Sequence, residues 1–177
     1  MNRVALPTAA ALVATVAAAN VATGYLGLVA AAPGLLVTAG TYAAGLSLAL
    51  RDLLHDAGGV RWVLGAIAAG GAVSFLLGDG RIAIASAAAF TLAELLDLAV
   101  YAPLRRRAWR TAVAASNLVG ATVDTFVFLA IAGFPIIAAT VGGQLLVKAV
   151  WITAGFLLLA EVIRRAVPRQ RLIEGGA

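Results

Sequence analysis

The sequence predicts an all-α integral membrane protein with six transmembrane helices in one bundle. Three observations carry that prediction. Of its 177 residues, 63% are hydrophobic and 12% charged, against roughly 45–50% and 25% in a soluble domain. The apolar residues fall into stretches of about 20, the length a helix needs to cross a bilayer. The arginines gather in the short connections between those stretches. No length remains for an extramembrane domain, so residues 1–177 read as a single transmembrane domain.

The first span is expected from Val4 to Thr23, with Pro7 near its start and Asn20 its strongly polar side chain. It runs past signal-peptide length without a clear cleavage context and is read as a span. The stretch from Gly24 to Gly40 is apolar but broken by Gly24, Gly27, Pro33, Gly34 and Gly40, and reads as an outer loop or re-entrant piece. The second span covers about Leu36 to Leu54 and ends in Arg51, Asp52, His55 and Asp56, before Gly58 and Gly59. The third runs from Val60 to Leu77, followed by a turn of Gly78, Asp79, Gly80 and Arg81 that brings back an antiparallel neighbour. Span four, Ile82 to Pro103, carries Glu94 and Asp97. Span five, Trp109 to Ala132, carries Ser116, Asn117 and Asp124. Span six, Ile137 to Ile163, has Gln144, Lys148 and Trp151, and a basic tail from Arg164 closes the chain.

Orientation follows from counting basic residues on alternate sides. Eleven arginines fall on one side (Arg3, Arg51, Arg61, Arg105, Arg106, Arg107, Arg110, Arg164, Arg165, Arg169 and Arg171), Arg81 alone falls on the other, and Lys148 lies within a span. The positive-inside rule then places both termini in the cytoplasm, and the protein in the cytoplasmic membrane as a multi-pass chain. The net charge of +5 is a topology signal, so nucleic acid is not an expected partner. With no cysteine and a single histidine, the usual zinc, haem and thiolate sets are missing, and no cofactor is expected.

Polar side chains inside spans point to function, because an ionised group at the centre of a bilayer costs about 2.5–3.5 kcal/mol on insertion scales. Helical spacing groups them. Glu94, Asp97 and Tyr101 share one face of span four, Asn117 and Asp124 one of span five, and Gln144, Lys148 and Trp151 one of span six. A pocket between helices 4, 5 and 6 lined this way offers carboxylates, amides, a lysine and the flat surfaces of Tyr101, Phe128 or Trp151. Such an inventory suits a planar polar heterocycle whose N–H edge meets a carboxylate and whose carbonyl meets an amide or lysine. The competing reading is structural: Lys148 and one acid as an ion pair, and Asn20 and Ser116 as interhelical hydrogen-bond partners. Arg51 and Asp52, at a span end, read as topology signal or as a gate in which Asp52 pairs with Arg51 or with an arginine of the turn after span four.

AAAFTLAELLDLAVYAPLRRR (87–107), SNLVGATVDTFVFLAIA (116–132), GGQLLVKAVW (142–151) and LALRDLLHDAGG (48–59), with Asn20 in the first span, occur in order over most of the chain. In these segments the sequence resembles the queuosine precursor transporter family, also called the VUT or vitamin uptake transporter family. The resemblance implies a six-helix, S-component-like fold and import of a planar guanine-like base, 7-cyano-7-deazaguanine or 7-aminomethyl-7-deazaguanine. By carry-over, Glu94, Asp97, Ser116, Asn117, Asp124, Gln144 and Lys148 are its candidate substrate-binding residues, with Asn20, Arg51 and Asp52 as gating or structural ones.

The expected function is therefore a transporter rather than an enzyme, with a small-molecule substrate and the lipid bilayer as partners. The alternatives are a substrate-binding S-component for another small vitamin working with an ATP-driven module, and a membrane scaffold whose buried charges only hold helices together. No Walker motif occurs, so ATP hydrolysis needs a partner that the sequence does not itself imply. A homo-oligomer is left open.

Overall fold

The computed structural model describes residues 4–77 and 80–166, with side chains as far as residue 162. Gly78 and Asp79 of the predicted turn, Arg3, the tail from residue 167 and the side chains of Arg164 and Arg165 lie outside the described residues.

Helix α1 spans Ala5–Leu26, α2 Thr41–Gly58, α3 Val60–Leu77, α4 Gly80–Leu104 and α5 Trp109–Ala132. The last span has three parts: α6 (Ala138–Leu145), a π-helical segment (Leu146–Ile152) and α7 (Thr153–Ala166). Five of these passages are long and apolar enough to cross a membrane. The exception is α2, which holds Arg51, Asp52 and Asp56 within 18 residues. The all-α membrane bundle is thus the observed architecture. Its outer surface is apolar, with Leu76, Leu158 and Phe75 more than half exposed, a surface that water would not tolerate and lipid matches.

Two elements depart from the expected boundaries. The stretch expected as a loop or re-entrant piece is a β-hairpin, β1 (Leu28–Ala32) paired antiparallel with β2 (Leu35–Thr38), with Val29 opposite Val37. Pro33 and Gly34 make its turn, Gly34 at φ +73°, the pattern of a Pro-Gly turn between two short apolar runs. The second span consequently starts at Thr41 rather than Leu36 and continues to Gly58, where Gly59 at φ +75° ends it with its N–H on His55 O. That shift carries Arg51 and Asp52 into the bundle.

Small residues set how closely the elements approach. A Cβ at Gly143 of α6 would meet the backbone of Leu36, so β2 lies directly against that helix. A Cβ at Gly120 of α5 would sit 3.1 Å from the Asp97 side chain and 3.0 Å from Leu48. The main apolar core joins α1, α2, α3 and α4 through Leu12, Val16, Leu54, Val63, Ile67 and Phe90. A second cluster between α4 and α5 holds Ala85, Ala89, Phe128 and Leu129.

Candidate functional site: a polar cavity beside a buried arginine

Enclosed by the helices and β2 is a cavity with about 580 Å³ of atom-free space, a figure that includes the part open to solvent at its mouth. Glu94, Asp124, Gln144 and Lys148 line it, together with Asn20, Ser47, Ser74, Phe90 and Phe128. Its walls therefore include α1, α2 and α3 as well as the helices 4, 5 and 6 expected from spacing.

Two amides in this lining are oriented by their partners. The Asn20 amide nitrogen donates to Val16 O at 3.0 Å and to Ser74 Oγ at 3.2 Å. A main-chain carbonyl accepts only, which assigns the nitrogen and leaves Oδ1 without a partner. Lys148 Nζ donates to Gln144 Oε1 at 2.7 Å. An ammonium donates only, which assigns the Gln144 oxygen and leaves Nε2 without a partner. The same Lys148 ammonium also pairs with Asp124, so the cation of this wall is already neutralised. Between these groups the Phe90 and Phe128 rings supply apolar faces.

Glu94 joins the cavity to a second cluster. Its Oε1 accepts from Ser47 Oγ at 3.1 Å, and its Oε2 lies 3.4 Å from Arg51 Nε. Arg51 also contacts Asp52 at 2.6 Å and Asp97. All four side chains are at most 1% exposed. The Tyr101 ring lies beneath Arg51 with its centroid 5.0 Å from Cζ, a cation–π geometry, and meets His55 edge-on at 5.4 Å. Its hydroxyl donates to Asp56 Oδ1 at 3.1 Å, and Arg105 Nε donates to the same atom at 2.8 Å.

Several sequence expectations change accordingly. Arg51 is not a charge at the membrane surface: it is wholly buried, ten arginines remain for the topology count, and the arginine turn meets Asp56 through Arg105, not Asp52. Asp97, Ser116 and Asn117 do not line the cavity. Asp97 turns to Arg51, Asn117 donates to Thr153 Oγ1 at 3.1 Å, and Ser116 lies 3.4 Å from Val113 O. Tyr101 is fully buried and outside the cavity. Trp151, expected on the face of Gln144 and Lys148, is 45% exposed; the π-helical turns from Leu146 rotate it away from the α-helical register. Sequence reasoning missed Ser47 and Ser74, whose hydroxyls anchor Glu94 and Asn20; the i, i+4 spacing of Ser47 and Arg51 was the available signal.

Residues 8–163 match the family model described as "putative vitamin uptake transporter". The chain belongs to this family. No curated protein and no solved structure matches it. A vitamin uptake transporter family is one of membrane carriers, in keeping with a polar cavity enclosed by apolar helices.

Proposed function

We propose that this vitamin uptake transporter family member imports a queuosine precursor, 7-cyano-7-deazaguanine or 7-aminomethyl-7-deazaguanine, through the cavity beside Glu94. The observation that carries the reading is the pair of unpartnered amide atoms in the lining, Asn20 Oδ1 and Gln144 Nε2. Buried polar atoms are nearly always paired, so one free acceptor and one free donor in a cavity wall describe a ligand with a matching N–H and carbonyl. A guanine-like base presents both on a flat ring. In this reading Glu94 takes the amino edge of the base, Gln144 donates to its carbonyl, Asn20 accepts a ring N–H, and Phe90 and Phe128 cover its faces. The Asp124 and Lys148 pair shapes the wall and holds Gln144. Asp97, Ser116 and Asn117 act behind it, and Arg51 and Asp52 on the exit side.

Both termini face the cytoplasm of a plasma-membrane protein in this proposal, and residues 1–177 form one transmembrane domain, supported by the arginines at the shared end of α2, α4 and α5. The test is a thermal-shift series with the purified protein against both deazaguanines, guanine and common vitamins. A specific ligand raises the melting temperature as its concentration passes its Kd. Stabilisation by a deazaguanine and not by the vitamins is the expected result; stabilisation by a vitamin alone, with ATP-dependent uptake alongside a copurified ATPase, would select the S-component reading.

A further inference from the structure

Charge does not balance inside this bundle. Arg51 faces three carboxylates, Asp52, Glu94 and Asp97, while the neighbouring Asp124 and Lys148 offset one another. If every group were ionised, two negative charges would stand uncompensated in a site shut off from water, and an unpaired buried ion costs about several kcal/mol. A second observation points to what removes them. Asp52 Oδ2 is buried with neither a hydrogen-bond nor an ion-pair partner, on a side chain 1% exposed. A proton fills such a lone pair and cancels the charge together.

The same groups form a file through the protein. Glu94 borders the cavity, Arg51, Asp52 and Asp97 lie next, and Tyr101 lies beneath Arg51 with its hydroxyl on Asp56. Asp56 closes the file at the end of α2, held by Arg105 and with His55 Nδ1 4.0 Å away. The seven-residue separation of Glu94 and Tyr101 covers about 10 Å of helix. The other charged groups beside the file are Asp124 of α5 and Lys148 of the π-helical segment.

We propose that this file binds and moves protons, so that uptake through the cavity is coupled to an inward proton flow. A proton arriving from the cavity forms an O–H bond on Glu94, Asp52 or Asp97, converting one carboxylate to the neutral acid. When the cavity opens on the arginine-rich side that O–H bond breaks, and the proton leaves past Asp56 to water. Arg51 remains charged throughout, since a guanidinium does not deprotonate in proteins, and keeps one carboxylate ionised. A substrate N–H that engages Glu94 shifts the proton to Asp52 or Asp97 behind it, so substrate and proton occupy the protein together. This coupling rests on the transport reading above and adds its driving force.

The experiment has two arms. The first uses purified protein without substrate. An infrared pH titration shows a protonated-carboxyl C=O band at neutral pH that diminishes in Glu94→Gln and in Asp52→Asn; a folded wild-type protein with no such band overturns the proposal. The second uses proteoliposomes with the membrane potential clamped and labelled 7-cyano-7-deazaguanine as probe. A difference of one pH unit, acid outside, then drives accumulation of about tenfold if one proton is carried and about a hundredfold if two are. Glu94→Gln and Asp52→Asn lose that dependence, and two variants guard against a failure of either to fold. Uptake that ignores the gradient overturns proton coupling and leaves the substrate reading intact. The carboxyl band with no uptake or binding of either deazaguanine overturns the substrate reading and supports a proton-holding cluster.

Discussion

Lys148 donates to the side-chain oxygen of Gln144 one turn earlier in the same helical passage, at 2.7 Å, and so fixes which end of that amide the cavity receives. The free Nε2 donor is the consequence. Gln144→Leu keeps the volume near that of the amide and removes the donor. Because a hydrogen bond contributes about 0.5–1.5 kcal/mol net, the deazaguanine Kd is expected to rise roughly two- to thirteenfold, as read by isothermal titration. An unchanged Kd would remove Gln144 from recognition.

Asn20 tests the opposite polarity. Asn20→Asp keeps the acceptor but loses the donor to Val16 O and Ser74 Oγ, whereas Asn20→Leu loses both. Ligand binding is expected to weaken in both, and Ser74→Ala to produce a smaller loss by freeing the amide to rotate. If Ser74→Ala weakened binding more than Asn20→Leu, the assigned orientation would be wrong.

Arg51 supplies the largest expected effect on stability. Arg51→Met leaves Asp52, Glu94 and Asp97 without their shared cation, and breaking a buried pair by removing one partner costs roughly 3–5 kcal/mol. Melting in detergent should fall sharply at neutral pH and recover in part as the pH is lowered and the acids are protonated. The triple variant Arg51→Met, Asp52→Asn, Asp97→Asn should regain most of the wild-type melting temperature. A single Arg51→Met that melts like wild type would show that the cluster holds no net charge balance.

The long spans were legible because lipid imposes one rule on twenty successive residues: α3 and α5 start and stop where hydropathy changes. Glu94, Asp124, Gln144 and Lys148 were legible as polar groups within spans, and they meet at one cavity. The hairpin was not, because its single proline, its glycines and its aliphatic residues also describe a loop. Arg51 was misplaced for a related reason. Ending α2 at Leu54 puts Arg51 in the headgroups, whereas continuing it four residues to Gly58 sets Arg51 about 10 Å of helix from its end and takes it inside. Asp97 shares a stripe with Glu94, but three residues rotate it about 60° round the axis, enough to turn one carboxylate to the cavity and the other to Arg51.

The hairpin also has a testable fit to the site. Thr38 of β2 lines the cavity, and a Cβ at Gly143 would meet Leu36 O, with Leu36 C only 2.9 Å away. The backbone there cannot yield as a side chain would. Gly143→Ala should displace β2 from α6, with overpacking of this kind costing about 1–3 kcal/mol, and should weaken ligand binding as well as lower the melting temperature. Gly142→Ala is the control, because a Cβ there meets only the Leu35 Cδ2 at 3.4 Å and should leave both measurements near wild type. Equal effects of the two substitutions would argue against a seated hairpin.

Asp124 and Lys148 separate a structural ion pair from a recognition group. Asp124→Asn leaves the Lys148 ammonium, 2% exposed, with an amide oxygen and Gln144 in place of a carboxylate, so uptake is expected to be abolished while membrane insertion persists. Lys148→Met removes the cation and frees Gln144 Oε1, and alone should also abolish uptake. The double variant decides between the two roles. If the pair only holds Gln144 and closes the bundle, Asp124→Asn with Lys148→Met restores thermal stability, and the interaction energy of the double-mutant cycle matches about 0.5–3 kcal/mol of coupling. Because losing the Gln144 anchor weakens binding no more than Gln144→Leu does, uptake should then return in part with stability, whereas restored stability with uptake still abolished would place Asp124 or Lys148 in recognition. Return of uptake together with stability would show that neither Asp124 nor Lys148 takes part in recognition.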